Sequence, residues 1–338
     1  MNMRRWGFGL VVAGLLSTGM TSCFSQGPAF SVVVLGCEGG LAEGNLSCYL
    51  LTLPKSGAYV ALDAGTVLGG LKAAQKQGSL RDCQPEKGSN STPEGWVLRQ
   101  GIKAYLISHA HIDHMSGLVI DSTDDSAKPL MALDPTIDDL RDHIFNWKTW
   151  PNFGSEGQRP LNKYTYQRMR PGQEAPIAGT SMTAEAYPLS HSDHYPSSAF
   201  LVRGKDQYLL YCGDTGPDEV EQSAHLGNLW KRVAPLIREK KLRALMLEVS
   251  YPDGRKPSEL FGHLTPEWMM KELHRLAQQV DAQSPSRALK GLKVVVTHIK
   301  PSLDAAPTPR QLIEQQLRQR NDLGVEWIFP QQGQRLEF

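Results

Sequence analysis

Residues 109–114 read HAHIDH, and this stretch decides how the rest of the chain is interpreted. Three histidines and an aspartate within six residues make little sense as packing, but imidazole and carboxylate are good metal ligands. The apolar run IKAYLI at residues 102–107 predicts a strand that enters the motif, and residues 115–120 begin a helix that leaves it. The motif therefore lies on a tight strand-to-helix loop.

The order of the side chains in this loop predicts two metal positions. The alternate residues His109 and His111 can bind one ion, while Asp113 and His114 reach a second. Imidazole together with carboxylate suits Zn²⁺, or a neighbouring ion such as Mn²⁺ or Fe, better than Mg²⁺ or Ca²⁺. The alternative is a polar turn with solvated histidines.

Further candidate ligands follow later predicted strands, which counts against a simple polar turn. His191 lies in LSHSDH, Asp214 in YCGDTG, His263 in GHLTP and His298 in VVVTHIKP. In α/β folds, ligands commonly lie where strands end. Each residue alone could be a structural polar group, but in sequence order they support one another.

The length and composition favour a large globular chain without a global charge. The chain has 338 residues, of which 40% are apolar, and its 36 lysines and arginines nearly cancel 35 aspartates and glutamates. No overall field therefore attracts nucleic acid or a membrane surface, and we expect no nucleic-acid partner.

The N-terminus has the layout of a secretory signal. Arg4 and Arg5 precede the apolar residues 6–16, and small and polar residues follow up to Cys23. We therefore predict a signal peptide at residues 1–23 and export to the bacterial periplasm. Residues 20–23, MTSC, also resemble a bacterial lipoprotein box, although Met20 replaces the usual leucine. A lipid on Cys23 would be the expected membrane contact.

Four further cysteines, Cys37, Cys48, Cys83 and Cys212, leave the redox state open. An even number of cysteines in an oxidising compartment allows one or two disulfides, and buried free thiols are the alternative.

Two series of predicted strands alternate with helices. This order predicts an α/β four-layer αββα sandwich, in which two mixed sheets pack face to face with helices outside. We expect one domain over residues 29–338, with a polar surface insertion near 78–100. Residues 136–147 are predicted to be helical, and residues 151–179 to be a polar segment without a strand. Residues 325–329 are the last predicted strand.

The succession HxHxDH, a lone histidine, GD after a strand, and a final histidine resembles the ligand order of the metallo-β-lactamase fold. The resemblance runs from about Phe30 to the end of the chain. It implies a first metal held by His109, His111 and His191, and a second held by Asp113, His114 and His298, with Asp214 bridging the two.

Three segments narrow the resemblance to the class-II cyclic-nucleotide phosphodiesterases. They are SHAHIDHMSGL at residues 108–118, TIDDLRDHIFNWKTWPNF at residues 136–153, and the later THIKP. This resemblance implies hydrolysis of 3′,5′-cyclic AMP or GMP to the 5′-monophosphate with two divalent ions, Zn²⁺ first among them. A bridging hydroxide oriented by Asp113 would attack the phosphorus.

Glu248, at the end of a predicted strand, and His263 resemble the glutamate and histidine pair of phosphodiesterases with this fold, including the tRNA 3′-processing endonuclease. A histidine kept cationic by a carboxylate can stabilise a phosphorane oxygen or protonate a leaving alkoxide. The alternative is a surface histidine in a loop before the helix at Pro266.

Other residues carry weaker predictions. Asn146, Trp150 and His194 are candidate substrate contacts, although aromatic residues on a helix often belong to the core. Asp63, at the end of a predicted strand, is expected to orient the ligand loops. The sequence also leaves a homodimer open.

Three other functions remain as alternatives to the main interpretation. An RNA 3′-end endonuclease would need a basic groove or arm, and the insertion is mixed in charge. A β-lactam or lactone hydrolase would use the same fold. A non-catalytic cyclic-nucleotide-binding protein would hold a structural metal, but such sites are usually closed four-ligand cages.

Overall fold

The first of two seven-stranded sheets is built from short apolar runs such as SVVVLG, whose residues are buried on both faces. In spatial order its strands are β14 (Arg335–Glu337), β1 (Ser31–Gly36), β2 (Cys48–Thr52), β3 (Tyr59–Leu62), β4 (Ile102–Leu106), β5 (Lys128–Leu133) and β6 (Tyr164–Met169). The pairs from β14 to β3 are antiparallel, and those from β3 to β6 are parallel. The sheet is therefore mixed.

The second sheet repeats this arrangement with an antiparallel and a parallel half. In spatial order its strands are β13 (Glu326–Ile328), β12 (Lys293–Thr297), β11 (Leu242–Glu248), β10 (Gln207–Cys212), β9 (Tyr195–Gly204), β8 (Met182–His191) and β7 (Ala175–Pro176). Strands β10 to β13 are parallel, whereas β7 to β10 are antiparallel. Parallel strands end at the same edge, which gathers the loops that follow β10, β11 and β12.

The helices lie on the outer faces of the sheets. They are α1 (Leu68–Lys76), α2 (Pro93–Trp96), α3 (Ile112–Asp121), α4 (Asp134–Asp139), α5 (Asp218–Glu221), α6 (His225–Arg238), α7 (Pro266–Val280), α8 (Pro285–Ala288) and α9 (Pro309–Gln319). Short π-helical turns at Val97–Gly101 and Leu140–Ile144, and a 3₁₀ turn at Pro257–Glu259, complete the set. Thr265 and Thr308 cap α7 and α9 through their side chains.

Three apolar layers separate these elements. The layer between the sheets joins side chains of both, such as Leu106 and Phe200. A second layer packs α1 and α3 on the first sheet, and a third packs α6, α7 and α9 on the second sheet around Trp230. Three apolar layers require four layers of backbone, so the predicted αββα sandwich is confirmed.

Several predicted boundaries were wrong. Residues 151–179 contain β6 and β7. These strands were not predicted because the segment is polar, and exposed residues lie between the buried residues of β6. Residues 325–329 do not form the last strand, because β14 follows and pairs with β1. The helix predicted at 136–147 starts at Asp134 and widens into a π-helical turn that ends at Ile144.

The computed structural model of this chain describes residues 1–3, 7, 27–193 and 195–338. The predicted signal segment up to Cys23 lies almost entirely outside the described residues, and so does His194. None of the helices in these ranges is sufficiently long and apolar to cross a membrane. The cysteines at 37, 48, 83 and 212 are all buried free thiols, so the disulfide alternative is not observed.

We expect the layer between the sheets to carry much of the stability. Leu209 lies in this layer and is fully buried, so Leu209→Ala should lower the free energy of unfolding by about 2–5 kcal/mol. Leu161 is 50% exposed, and Leu161→Ala should change it by no more than about 0.5 kcal/mol. Urea unfolding of both variants tests this expectation, and equal midpoints would contradict it.

Candidate metal centre

The predicted ligands converge at one end of the sandwich because each follows the carboxyl end of a strand. His109 and His111 lie in the loop between β4 and α3, and His191 ends β8. Asp214 follows β10, and His298 follows β12 with a left-handed backbone, φ +57°. A non-glycine residue in this conformation is uncommon and often marks a functional site.

The structure brings the seven predicted ligands together in two groups. The first contains His109, His111 and His191, and the second contains Asp113, His114, Asp214 and His298. Within each group the potential ligand atoms lie within 4.8 Å of one another. The two groups correspond to the two metal positions that the sequence predicts.

Asp214 lies between the two groups. Its Oδ2 atom is 3.9 Å from Nε2 of both His109 and His191 in the first group. In the second group, the same Oδ2 atom is 3.3 Å from Nε2 of His298, and Oδ1 is 3.3 Å from Nε2 of His114. One carboxylate therefore faces both groups, as a bridging ligand must.

The buried carboxylate of Asp63 fixes the start of the loop that carries His109 and His111. Asp63 accepts hydrogen bonds from the Ser108 backbone N–H at 2.6 Å, the Ser108 hydroxyl at 2.7 Å and the Tyr211 hydroxyl at 2.5 Å. Its Oδ2 atom also lies 2.7 Å from Nδ1 of His114. The predicted orienting role of Asp63 thus has a direct geometric basis, because this contact leaves Nε2 of His114 for the metal group.

Other groups orient the remaining histidines in the same way. Nδ1 of His191 donates to the Gly262 carbonyl at 2.8 Å, and Nδ1 of His298 lies 2.9 Å from the Ser250 hydroxyl. Gly262 has φ +72°, and a Cβ there would come within 1.8 Å of the Ser192 nitrogen. Only glycine fits at this position. Neither Ser250 nor Gly262 was predicted from the sequence, although the GH pair at 262–263 was a signal.

Three buried polar atoms of the two groups have no hydrogen-bond partner in the described chain. They are Nε2 of His109, Nε2 of His114 and Oδ1 of Asp214. Burial lowers the pKa of His109 well below its usual value and that of His191 to about 3, so both rings are neutral at pH 7. The unprotonated nitrogens of His109 and His191, close to the buried Asp214 carboxylate, suit a divalent cation, so the ligand set fits the metal ions that the resemblance implies.

Glu248 and His263 form a second buried pair beside the ligands. Oε1 of Glu248 lies 2.8 Å from Nδ1 of His263, and Oε2 accepts the Ser250 hydroxyl at 2.9 Å. His263 is 4% exposed, which excludes the alternative of a surface histidine. Because these atoms already bind each other, we do not assign the pair to the metal ligands.

The charge of this pair differs from the sequence-based expectation. Burial lowers the pKa of His263 to about 4, and burial together with Asp214 raises the pKa of Glu248 to about 8. The neutral pair is therefore favoured at pH 7, not the cationic histidine that we expected. The physical reason is that burial penalises the charged form of both groups.

Two of the three predicted substrate contacts, Trp150 and Asn146, form hydrogen bonds with groups other than the metal ligands. Trp150 donates from Nε1 to the Ser122 hydroxyl at 3.0 Å, at the end of α3 that is remote from the metal ligands. Asn146 accepts from two backbone N–H groups of its own turn, those of Lys148 and Thr149. His194 lies outside the described residues.

An aromatic residue that the sequence analysis missed lies against the first ligand group. The Tyr195 ring stacks on His111 with centroids 4.6 Å apart and planes inclined by 9°. Its hydroxyl donates to Asp139 at 2.6 Å, which fixes the ring. The position directly after SDH was the available signal, but only the β8–β9 hairpin places the ring.

Comparisons with known proteins decide the family. The model of the class-II cAMP phosphodiesterases matches residues 30–333. The chain belongs to this family. A probable 3′,5′-cyclic-nucleotide phosphodiesterase of Yersinia pestis is 42% identical over 97% of this chain and 96% of its own length. The activity class expected from the sequence, hydrolysis of cyclic-nucleotide phosphodiesters by an enzyme, is thereby confirmed.

Solved structures agree on the fold. Unliganded yeast PDE1 aligns with a TM-score of 0.82 at 24% identity, covering 92% of this chain and 100% of that chain. YhfI of Bacillus subtilis, a metallo-β-lactamase fold protein, aligns with a TM-score of 0.57 at 14% identity, covering 91% of this chain and 99% of that chain. The phosphodiesterase therefore has the metallo-β-lactamase fold.

The Asp63 contact predicts a specific effect on metal binding. Asp63→Asn keeps the shape but replaces the charged acceptor of His114, so metal affinity should fall about 10- to 100-fold. Metal competition titration against a chromophoric chelator measures the change. Asp124→Asn, at an exposed aspartate, is the control. Equal affinities of the two variants would show that Asp63 does not orient the ligand.

Proposed function

We propose that this chain hydrolyses 3′,5′-cyclic AMP or GMP to the 5′-monophosphate at a centre of two divalent metal ions, with Zn²⁺ as the native ion. The observation that carries the proposal is the Asp214 carboxylate facing two complete ligand groups next to the Glu248–His263 pair. Family membership supplies the reaction class, and the nitrogen-rich ligand set favours zinc over oxygen-preferring ions.

Some residues of the centre would bind the metal ions, and others would orient water or transfer protons. His109, His111 and His191 would hold one ion, and the second group would hold the other, with Asp214 shared. Such ions supply Lewis-acid stabilisation of phosphoryl oxygens and make a water more acidic. The remaining steps depend on side chains of this chain.

Asp113 is suited to orient the attacking water. Its Oδ2 atom accepts from the Gly40 backbone N–H at 3.1 Å and lies 3.1 Å from Nε2 of His298. Its Oδ1 atom has no hydrogen-bond partner in the described chain and can accept a hydrogen bond from the water. Although burial opposes it, the hydrogen bond to His298 holds the pKa of Asp113 well below its usual range. Asp113 is therefore an acceptor that fixes orientation rather than a store for the proton.

The Glu248–His263 pair is suited to protonate the leaving 3′ oxygen. With the pair neutral and the proton on Glu248, the carboxyl O–H donates to Nδ1 of His263, and Nε2 of His263 carries a hydrogen. As the P–O3′ bond breaks, the Nε2–H proton passes to O3′ and the Glu248 proton passes to Nδ1. His263 stays neutral, and Glu248 ends as the carboxylate.

Chelation tests the proposed centre directly. Purified protein should release 5′-AMP from cyclic AMP or 5′-GMP from cyclic GMP, lose this turnover with EDTA, and regain it with Zn²⁺ or Mn²⁺. Chromatographic separation of 5′- and 3′-monophosphates measures both rate and regiochemistry. Turnover that persists after complete metal removal would refute the proposed centre.

Removal of His263 should separate proton transfer from metal binding. We expect His263→Ala to lower kcat about 10²- to 10⁴-fold while metal content stays at the wild-type value. His274 lies on α7, about half exposed and paired with Asp322, so His274→Ala is a matched control with unchanged turnover. Full activity of the His263 variant would remove the residue from the mechanism.

We also propose that the chain is exported to the periplasm and anchored by a lipid on Cys23. The basic, apolar and small-residue order of residues 4–23 supports export, and MTSC supports lipidation. Labelled palmitate should enter the wild-type protein and be lost in Cys23→Ala, with globomycin blocking its maturation. A soluble, unlabelled periplasmic wild-type protein would refute the anchor and keep export.

A further inference from the structure

A cavity of about 390 Å³ opens beside the metal ligands, between the loops that follow β11 and β12. Its lining includes Leu41, Tyr251, Arg255, Lys300 and Leu303, and we call it the Tyr251 pocket. Its volume lies within the range of small-molecule sites, about 300–1,000 Å³. The pocket has no role in the mechanism described above.

The strand register explains why this pocket adjoins the centre. Glu248 of β11 pairs in parallel with Thr297 of β12. Tyr251 and Lys300 each follow three residues later, so both leave the same edge of the sheet that presents His298. The Lys300 backbone N–H donates to the Ser250 carbonyl at 3.1 Å, which ties the two loops together.

Two contacts connect the pocket to the catalytic groups. Nζ of Lys300 lies 3.9 Å from Oδ2 of Asp113, so the ammonium lies at the border between the pocket and the second ligand group. The Tyr251 ring meets the His263 ring with centroids 5.7 Å apart and planes at 81°. A ligand that fills the pocket and pairs its anionic group with Lys300 therefore lies next to the catalytic groups.

The far part of the pocket has the chemistry of an aromatic-ring site. The Arg255 guanidinium lies 3.7 Å from the centroid of the Tyr251 ring, a stacked arrangement. Arg255 is exposed and forms no ion pair within the described chain; its Nη1 reaches only the Glu259 carbonyl, at 3.4 Å. Leu41 and Leu303, at the rim, are 59% and 92% exposed. A flat guanidinium with apolar neighbours favours a flat heterocycle.

Another cavity, of about 660 Å³, is a less suitable substrate site. Its lining includes Leu242 and Lys293, which begin β11 and β12. It therefore lies at the opposite edge of the sheet from the metal ligands, and a nucleotide bound there would not reach them. On the other flank of the centre, one face of the Tyr195 ring is already stacked on His111.

We propose that the Tyr251 pocket binds the purine base of the cyclic nucleotide, with Arg255 stacking on the base and Lys300 pairing with the phosphate. This assignment rests on the proposed function and adds the residues that determine recognition of the nucleoside. Arg255 acts on the base alone, whereas Lys300 acts on the phosphate of any substrate. Substitution of Arg255 should therefore affect only substrates that carry the base, whereas substitution of Lys300 should affect substrates with and without it.

The test compares cyclic AMP with the 3′,5′-cyclic phosphate of 1-deoxyribose, which lacks the base. Arg255→Ala should raise KM for cyclic AMP about 10- to 100-fold, because one stacking contact with the base is lost. Its kcat should stay nearly unchanged. The same variant should hydrolyse the base-free substrate with wild-type kcat/KM. Lys300→Ala should lower kcat/KM for both substrates by the same factor.

Two further variants make the stacking interpretation specific. Arg255→Lys keeps the charge without the flat group, so its KM for cyclic AMP should stay raised. Leu303→Ser changes an exposed residue and should raise the same KM several-fold without affecting folding. Arg318 lies over Phe329 at 5.7 Å, away from the pocket, and Arg318→Ala is the matched control.

The outcomes distinguish failure of the pocket from failure of the proposed function. Wild-type KM for cyclic AMP in Arg255→Ala, or its recovery in Arg255→Lys, would overturn the stacking role. An equal loss on both substrates in Arg255→Ala would also overturn it. If the metal-loaded wild type cleaves neither cyclic AMP nor cyclic GMP, the proposed function itself fails and the pocket assignment fails with it.

Discussion

The buried carboxylate of Asp63 is the constraint on which the catalytic end of the molecule depends. A carboxylate without solvent is unfavourable unless hydrogen bonds compensate it, and Asp63 has contacts to Ser108, His114 and Tyr211. Tyr211 belongs to the second sheet, whereas Asp63 and Ser108 follow strands of the first. The same group therefore fixes the distance between the sheets and the start of the ligand loop. Its left-handed backbone, φ +54°, is uncommon for a residue other than glycine and is held by the packed surroundings.

The histidines depend on similar support, and this support explains why the centre is prearranged. A free imidazole could turn either nitrogen toward the ligand groups. Here Nδ1 of His114, His191 and His298 is held by a carboxylate, a carbonyl and a hydroxyl from three different parts of the chain. The Nε2 atoms are thereby aimed at Asp214, where cation binding offsets the cost of burying unpaired polar atoms. Metal binding and folding of this end are consequently coupled.

Sequence could predict the ligands because their chemistry is local, but not the contacts that depend on register. HAHIDH, Asp214 and His298 each follow an apolar strand, and this pattern can be recognised in the amino-acid sequence. Strand β6 was not predicted because its exposed positions are polar, so the segment resembles a polar loop although its other positions are buried. The surroundings of Trp150 could not be predicted in this way, because they depend on the far end of α3, where Trp150 donates to the Ser122 hydroxyl. Arg255 and Lys300 are separated by 45 positions, and only the pairing of β11 with β12 brings their loops together.

The fold alone does not select phosphodiester hydrolysis, since one fold can support several reactions. This centre holds two separate groups that can handle protons near the shared carboxylate of Asp214, namely Asp113 and the Glu248–His263 pair. Asp113 has a lowered pKa and is suited only to accept and orient, whereas Glu248 has a raised pKa and holds a proton at pH 7. Displacement of an alkoxide needs both a positioned nucleophile and a proton donor for the leaving oxygen. Because burial disfavours the ion pair of Glu248 and His263, the mechanism that we propose keeps the proton on the carboxyl group and passes it to the substrate through a ring that need not become charged.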